Sequence, residues 1–183
     1  MATQQLNPEA SSKVLERLRG KHVLITGTTG FLGKVVLEKL IRAVPDIGGI
    51  HLLIRGNKRH PDARDRFFEE IATSSVFDRL RQDDNEAFET FIEDRVHCVT
   101  GEVTEPLFGL SSDRFRKLAG GIDVVVNSAA SVNFREELDK ALAINTRCLD
   151  NVAELARQNK SLAVLQVSTC LLYTSPSPRD GLL

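Results

Sequence analysis

A glycine-spaced turn between an apolar strand and a helix constrains this chain more than any other feature. Residues 25–33 read ITGTTGFLG, directly after the apolar residues 23–25. They open a segment, residues 32–43, in which apolar side chains recur at helical spacing. A strand, a Gly-x-x-Gly-x-x-Gly turn and a helix in this order present backbone N–H groups and a positive helix end to a pyrophosphate. The turn is therefore predicted to hold a dinucleotide.

The three glycines of this turn have different predicted roles. Gly27 permits a tight turn, Gly30 lets the backbone approach a phosphate, and Gly33 allows the helix to pack closely on the sheet. A turn that binds nothing is the alternative, but the flanking strand and helix favour the binding role. The predicted cofactor contacts of this segment are Gly27, Thr29, Gly30, Phe31, Leu32 and Gly33.

The rest of the chain alternates between short apolar runs and helical patterns, which indicates a parallel sheet covered on both faces. Right-handed crossovers, with a reversal of winding after the third strand, predict the strand order 3-2-1-4-5. We therefore predict an α/β fold, a Rossmann-like doubly wound parallel sheet that is truncated after the fifth strand. The predicted strands are residues 23–25, 50–54, 96–99, 124–126 and 162–167, and the predicted helices are residues 7–19, 32–43, 113–119 and 135–158, with a long helical crossover over residues 55–94.

Composition excludes several classes of partner. The 183 residues carry a net charge of -1, so the chain has no electrostatic field that would attract nucleic acid. No apolar run is long enough for a membrane-spanning segment. Cys98, Cys148 and Cys170 show neither disulfide nor zinc spacing, and the four histidines share no spacing, so we predict no metal site and a reducing, cytoplasmic location. The oligomeric state stays open.

The end of the second strand bears on cofactor choice. NAD-selective sites usually place an acidic residue there, about twenty residues after the glycine turn. This chain instead has Arg55, followed by Lys58 and Arg59. A guanidinium can bind a 2′-phosphate through paired hydrogen bonds, so the sequence favours NADP, with Arg55 and Lys58 as contacts. A solvated basic loop is the alternative.

The ends of the third and fourth strands supply further predicted contacts. Glu102 and Val103 follow the third strand, where a carboxylate can accept the adenine amino group; an exposed Glu without a ligand is the alternative. Asn127, Ser128 and Ala129 end the fourth strand, and small residues there would let the backbone lie against the nicotinamide ribose.

Three polar residues are candidates for catalysis. Asn145 interrupts an apolar stripe on the helix predicted over residues 135–158, so its amide should find partners inside the fold, in a catalytic network or in a purely structural one. Ser168 and Thr169 close the fifth strand at the edge where ligands of open α/β sheets sit, and a hydroxyl there can hydrogen-bond a carbonyl oxygen or simply cap the strand. The stripe comprises Leu138, Leu142, Asn145, Leu149, Val152 and Ala156.

Taken together, these segments resemble the extended short-chain dehydrogenase/reductase superfamily. Within it, the motifs TGTTGFLG, LLIRG, GEVTEP, NSAASVNF, INT and VST are similar to those of alcohol-forming fatty acyl-CoA reductases of the bacterial type. The resemblance covers residues 20–169 and includes the long second crossover, which is much shorter in sugar-modifying relatives. Another extended reductase, acting on sugar nucleotides or sterols, and a non-catalytic NADP-binding module are the alternatives.

The resemblance implies an NADPH-dependent reduction of fatty acyl-CoA to an aldehyde and then to an alcohol. Thr169, or as second choice Ser168, would orient the carbonyl, and Asn145 would organise the water of a proton relay. The family's general acid is a Tyr with a Lys four residues later, and this chain lacks that pair: its single tyrosine, Tyr173, has Ser177 at the Lys position. We therefore expect the 183-residue polypeptide to be inactive by itself.

The last residues differ in character from the rest. Residues 170–180 can be encoded by a common transposase-based sequencing adapter, so we interpret residues 170–183 as a non-native tail; a natural Ser/Pro-rich tail is the alternative. The predicted organisation is a helical lead-in over residues 1–20, an incomplete NADP-binding Rossmann domain over residues 21–169, and this tail. We expect the fifth strand to be an open edge with uncovered apolar surface.

Overall fold

A single parallel sheet organises the protein. The structure, a computed structural model, describes residues 8–133 and 135–168. The strands are β1 His22–Thr26, β2 Gly49–Ile54, β3 Val96–Thr100, β4 Val124–Asn127 and β5 Ala163–Gln166. All four pairings between these strands are parallel, and the strand order is β3-β2-β1-β4-β5, as predicted.

Helices connect successive strands, and the long second crossover is helical as predicted. It contains two α-helices, Ala63–Arg66 and Asp78–Arg95, joined by a π-helical turn, Phe67–Ile71, and a 3₁₀ turn, Ser75–Phe77. The α-helices are α1 Pro8–Arg17, α2 Phe31–Ala43, α3 Ala63–Arg66, α4 Asp78–Arg95, α5 Ser112–Gly120, α6 Leu138–Leu142 and α7 Cys148–Gln158. Within the described part of the chain, no helix combines the length and the apolar character needed to cross a bilayer.

The sheet is covered on both faces because side chains alternate along each buried strand. On one face, Ile25 and Leu52 pack in a cluster with Leu37 of α2. On the other, Leu24 packs with Phe115 of α5. Strand β5 differs, since all four of its residues are exposed. Among residues 8–133 and 135–168 no strand pairs with its outer edge, in line with the predicted open edge.

The helix predicted over residues 135–158 required a correction. It begins at Leu138, passes through a π-helical turn, Ala143–Arg147, and only its second half is buried. Leu138 and Leu142 are 74% and 40% exposed, so the predicted apolar stripe is wrong for them. The buried residues of the helix are instead Cys148, Asn151, Val152 and Leu155, and Val152 and Leu155 belong to the cluster on the sheet face that contains Leu24. Periodicity correctly indicated an apolar face on this helix. It could not indicate that only the part from Cys148 onward is buried.

Three of the four histidines, which share no sequence spacing, lie side by side at the opposite end of the strands from the glycine turn. Parallel register places His51 beside His97, with ring centroids 5.0 Å apart. His22 Nδ1 lies 3.2 Å from His51 Nε2. We refer to these three residues as the histidine row. Adjacent parallel strands bring together residues that are far apart in sequence, which spacing alone could not indicate.

Candidate functional site

A cleft of about 230 Å³ opens at the carboxyl edge of the sheet, above β1, β2 and β4. The chain reverses its winding between β1 and β4, which is where open α/β sheets bind ligands. The cleft is lined by Gly27, Thr29, Gly30, Leu53, Ile54, Arg55, Arg66, Gly101, Glu102, Val103, Ser128, Ala129, Ala130 and Ile144.

Two of the three glycines in the glycine turn have no room for a side chain. Gly27 has φ of +77°, and a Cβ there would lie 2.7 Å from the backbone nitrogen of Ala129. A Cβ at Gly33 would overlap the carbonyl of Gly27. At Gly30 the nearest atom would be the Gly27 oxygen at 3.3 Å, so this position is open toward the cleft. The positive φ of Gly27 agrees with the predicted tight turn, and the crowding at Gly33 shows why a side chain is excluded there. The approach of a phosphate to Gly30 stays a prediction.

The N-terminus of α2 faces the cleft as a site for negative charge. Gly30 is the N-cap and brings no side-chain hydrogen bond, and the first turn contains no acidic residue. Helix geometry leaves the N–H groups of Phe31, Leu32 and Gly33 without intrahelical acceptors. Because the helix dipole adds partial positive charge there, the residues present fit a diphosphate.

A buried hydroxyl that the sequence analysis missed holds the two cleft-lining residues that follow β4. Thr26 Oγ1 accepts hydrogen bonds from the backbone nitrogens of Ser128, at 3.2 Å, and Ala129, at 3.1 Å. It donates to Asn127 Oδ1 at 2.6 Å. Thr26 immediately precedes Gly27, and its position at a buried strand end was the only available signal.

Asn127 supports the cleft from below. It is 1% exposed, and its amide nitrogen donates to Gln166 Oε1 at 2.7 Å. The side chain is therefore occupied inside the fold, whereas Ser128 and Ala129 line the cleft. A contact between Asn127 and a cofactor stays a prediction.

At the other end of the cleft, Arg55 and Glu102 form an ion pair with Arg55 Nη1 3.2 Å from Glu102 Oε2. Val103 lines the cleft beside Glu102. Arg55 and Glu102, which come from the ends of neighbouring strands, are thus brought together as the parallel sheet predicts. Lys58 is exposed and is not one of the cleft-lining residues.

A second guanidinium, that of Arg66, lines the cleft and was missed by the sequence analysis. Arg66 Nη1 donates to the backbone oxygen of Arg55 at 2.6 Å, and Nε donates to Glu70 Oε2 at 2.9 Å. Hydrogen bonds from Arg66 and then Asn57 hold the pKa of Glu70 below its ordinary value. No sequence spacing indicated Arg66, because its location depends on a turn in which the Asn57 amide group bonds His60.

Of the predicted catalytic residues, the structure describes Asn145 and Ser168. Asn145 is exposed, which corrects the expectation of an amide buried inside the fold. Its amide group bonds the backbone of Ser131, accepting from the nitrogen at 2.8 Å and donating to the oxygen at 3.2 Å. The neighbouring Ile144 lines the cleft. Ser168 is exposed just beyond β5, and Thr169, like the tail, lies outside the described residues.

The sequence of this chain is similar to those of a known protein family. The profile of the family described as "Male sterility protein" matches residues 25–181. The chain is 38% identical over 157 residues to fatty acyl-CoA reductase 2, chloroplastic, of Arabidopsis thaliana, covering 85% of this chain and 25% of that protein. It is 36% identical over 160 residues to fatty acyl-CoA reductase 1 of Gallus gallus, covering 86% of this chain and 30% of that protein. The chain thus spans between a quarter and a third of these relatives.

Among solved structures, the reductase (R) domain of a non-ribosomal peptide synthetase from Mycobacterium tuberculosis superposes with a TM-score of 0.65 at 27% identity. The superposition covers 94% of this chain and 40% of that domain. The similarity therefore extends over nearly the whole sheet and its helices.

Proposed function

The chain belongs to the Male sterility protein family, and on that premise we propose that it is the NADPH-binding part of a reductase that converts a fatty acyl-CoA to an aldehyde and then to an alcohol. The observation that carries this proposal is the cleft in which the glycine turn faces two guanidiniums, those of Arg55 and Arg66. The similarity to fatty acyl-CoA reductases supports the substrate class.

We assign the diphosphate of the cofactor to the glycine turn. The backbone of Gly30 and the first amides of α2 would donate to its oxygens, and the absence of an acidic residue in that turn removes a source of repulsion. Ser128 and Ala129, held by the Thr26 hydroxyl, would lie against the nicotinamide ribose. The bound cofactor supplies the hydride that reduces a carbonyl.

In this proposal, the positive charges of two arginines select NADPH over NADH by attracting its 2′-phosphate. Arg55 and Arg66 lie at the end of β2 and at the start of the crossover, and their guanidiniums can bind a 2′-phosphate by charge-assisted hydrogen bonds. Glu102, the carboxylate paired with Arg55, would be free to accept the adenine amino group once Arg55 contacts phosphate.

The carbonyl end of the reaction is proposed from the same edge of the sheet. Thr169, or Ser168 beside it, would hydrogen-bond the carbonyl oxygen, and Asn145 would hold water next to it. The sequence contains no Tyr followed four residues later by Lys, so it supplies no general acid of that type. We therefore propose that the 183-residue chain binds NADPH without reducing acyl-CoA. From its cysteine usage we also propose a cytoplasmic location.

Two measurements test the proposed function. Calorimetry on the purified chain should show tighter binding of NADPH than of NADH, by at least about tenfold for a phosphate held by guanidiniums. The longest open reading frame that contains this segment should consume NADPH with palmitoyl-CoA. Equal affinities for the two cofactors would contradict the NADPH assignment, and activity on a UDP-sugar or sterol but not on palmitoyl-CoA would contradict the substrate class.

A further inference from the structure

Asn151 is a buried amide with no role so far in the proposed site. It lies in α7, is 7% exposed, and faces the segment that follows β3. Its Oδ1 accepts a hydrogen bond from the backbone nitrogen of Leu107 at 2.8 Å. Its Nδ2 donates to the backbone oxygens of Val103, at 3.0 Å, and Glu105, at 2.8 Å. One side chain therefore satisfies three backbone groups of residues 101–109, which we call the β3 loop.

The β3 loop needs this support because its backbone is unfavourable for the residues that form it. Leu107 and Phe108 have φ of 54° and 58°, in the left-handed region that residues with a Cβ rarely adopt. Phe108 is fully buried beside Phe115, with ring centroids 5.9 Å apart. Packing of Phe108 and the hydrogen bonds of Asn151 thus hold a conformation that local preference disfavours.

The same loop carries the adenine end of the cleft. Glu102 and Val103 line the cleft, and the Glu102 nitrogen donates to the Phe108 oxygen at 2.9 Å. Asn151 bonds the Val103 carbonyl directly. The position of the Glu102 carboxylate therefore depends on a loop conformation that Asn151 maintains.

We propose that Asn151 is a positioning residue for the adenine half of the cofactor: it acts through the β3 loop to place Glu102 and Val103. This inference rests on the proposed function, because it takes the cleft to be a dinucleotide site. It differs from a purely structural role in one respect. Loss of Asn151 should weaken binding of the adenine half of the cofactor more than binding of the nicotinamide half.

The chain offers a matched control on the same helix side of the sheet. Asn159 follows α7, and its Nδ2 donates to the backbone oxygens of Ala119, at 3.0 Å, and Ile122, at 2.7 Å. Its Oδ1 accepts from the Ser161 nitrogen at 3.0 Å. Asn159 thus makes the same number of bonds to backbone as Asn151, but at the edge of the sheet remote from the cleft.

The experiment compares Asn151→Ala with Asn159→Ala in the 183-residue chain. Calorimetry should show that Asn151→Ala raises the Kd for 2′,5′-ADP about tenfold, as expected when buried hydrogen bonds no longer hold a binding loop, while Asn159→Ala leaves it within about twofold. Both variants should lower the melting temperature. Reduced nicotinamide mononucleotide should bind equally well to wild type and to Asn151→Ala.

The outcomes separate the two proposals. An unchanged Kd for 2′,5′-ADP in Asn151→Ala, or an equal loss in Asn159→Ala, would overturn the positioning role and leave the proposed function intact. Failure of the wild-type chain to bind either 2′,5′-ADP or NADPH would overturn both.

If Asn151→Ala does not fold, amide hydrogen exchange on the wild-type chain tests whether ligand binding is coupled to the part of the β3 loop that Asn151 holds. Binding of 2′,5′-ADP should slow exchange of the Leu107 N–H, which Asn151 accepts, and leave the Ser161 N–H, which Asn159 accepts, unchanged. Equal exchange at Leu107 with and without 2′,5′-ADP would contradict the proposal.

Discussion

The hydroxyl of Thr26 donates to the side-chain oxygen of Asn127 over 2.6 Å, and both residues are completely buried. The bond joins the last residues of β1 and β4, which are register partners in the sheet. The same hydroxyl accepts hydrogen bonds from the Ser128 and Ala129 nitrogens. One oxygen therefore positions the backbone of the two residues that follow β4.

Replacing this hydroxyl by a methyl group should therefore destabilise the fold. Thr26→Val keeps the shape but leaves the Asn127 oxygen and two backbone N–H groups without their partner, at a cost of about 1–3 kcal/mol. Urea unfolding followed by circular dichroism measures the change. Thr73→Val is the control, because Thr73 bonds the Glu69 oxygen at an exposed position; equal losses in the two variants would contradict the special role of Thr26.

Arg55 and Arg66 should determine the preference for the 2′-phosphate. Arg55→Ala and Arg66→Ala should each raise the Kd for NADPH about 10- to 100-fold, since charge-assisted hydrogen bonds are lost, and leave the Kd for NADH nearly unchanged. Lys58→Ala, a basic residue outside the cleft lining, is the matched control. If Lys58→Ala weakened NADPH binding as much as Arg66→Ala, the cleft geometry would be a poor guide to the phosphate site.

The glycine turn predicts a separation between folding and binding. Gly30→Ala places a Cβ 3.3 Å from the Gly27 oxygen, a tight contact that a shift of a few tenths of an ångström relieves. The fold should therefore persist while the methyl group obstructs the diphosphate and raises the NADPH Kd at least about tenfold. Gly33→Ala forces its Cβ onto the Gly27 carbonyl and should cost about 1–3 kcal/mol of stability.

Gly120→Ala serves as the control for the glycine variants, because a Cβ at Gly120 meets no atom within 4 Å. Melting curves and calorimetry on the three variants check both effects. Full NADPH affinity in Gly30→Ala would show that the diphosphate lies elsewhere.

The histidine row should make stability depend on pH. Burial, followed by the charges of His97 and His22, lowers the pKa of His51 from 6.5 to about 4. His22 also lies near Asp123, which accepts from its backbone nitrogen and from Lys21. Below pH 6.5 the unfolded chain binds a proton that folded His51 does not, so the contribution of His51 to stability is complete above pH 6.5 and is lost as pH falls toward 4.

After allowance for solvent screening, the loss should amount to about 1–2 kcal/mol. Urea unfolding at a series of pH values measures it, and His51→Gln should flatten the curve in this window. His60→Gln should retain the wild-type slope because His60 lies outside the row. A wild-type slope in His51→Gln would assign the dependence to other groups.

Much of the fold could be predicted from local pattern. The apolar runs that became β1 to β5, the glycine turn and the strand order all follow from hydrophobic periodicity and the handedness of crossovers. Arg55 and Glu102 were expected at the ends of β2 and β3, and the parallel sheet brings the two side chains together at one edge. Their contact with a cofactor stays a prediction. These features depend on residues close together in sequence, or on a topology with few alternatives.

Other features escaped the sequence because they depend on contacts between distant segments. Arg66 reaches the cleft only after the turn at Asn57 redirects the chain. Asn145 interrupts an apolar stripe but is exposed, since the helix meets the sheet only from Cys148 onward. In the sequence, nothing distinguishes Asn151 from other polar helix residues. Only the structure shows that its amide group bonds three backbone groups of the β3 loop.

The sequence by itself determined that this chain forms a doubly wound parallel sheet with a tight glycine turn after its first strand, because both depend on short-range spacing and backbone geometry. Only the tertiary structure decided which polar side chains serve the cleft and which support it from below. A side chain's partners are set by the packing of helices on the sheet, and a hydrogen bond between residues tens of positions apart leaves no periodic trace in the sequence.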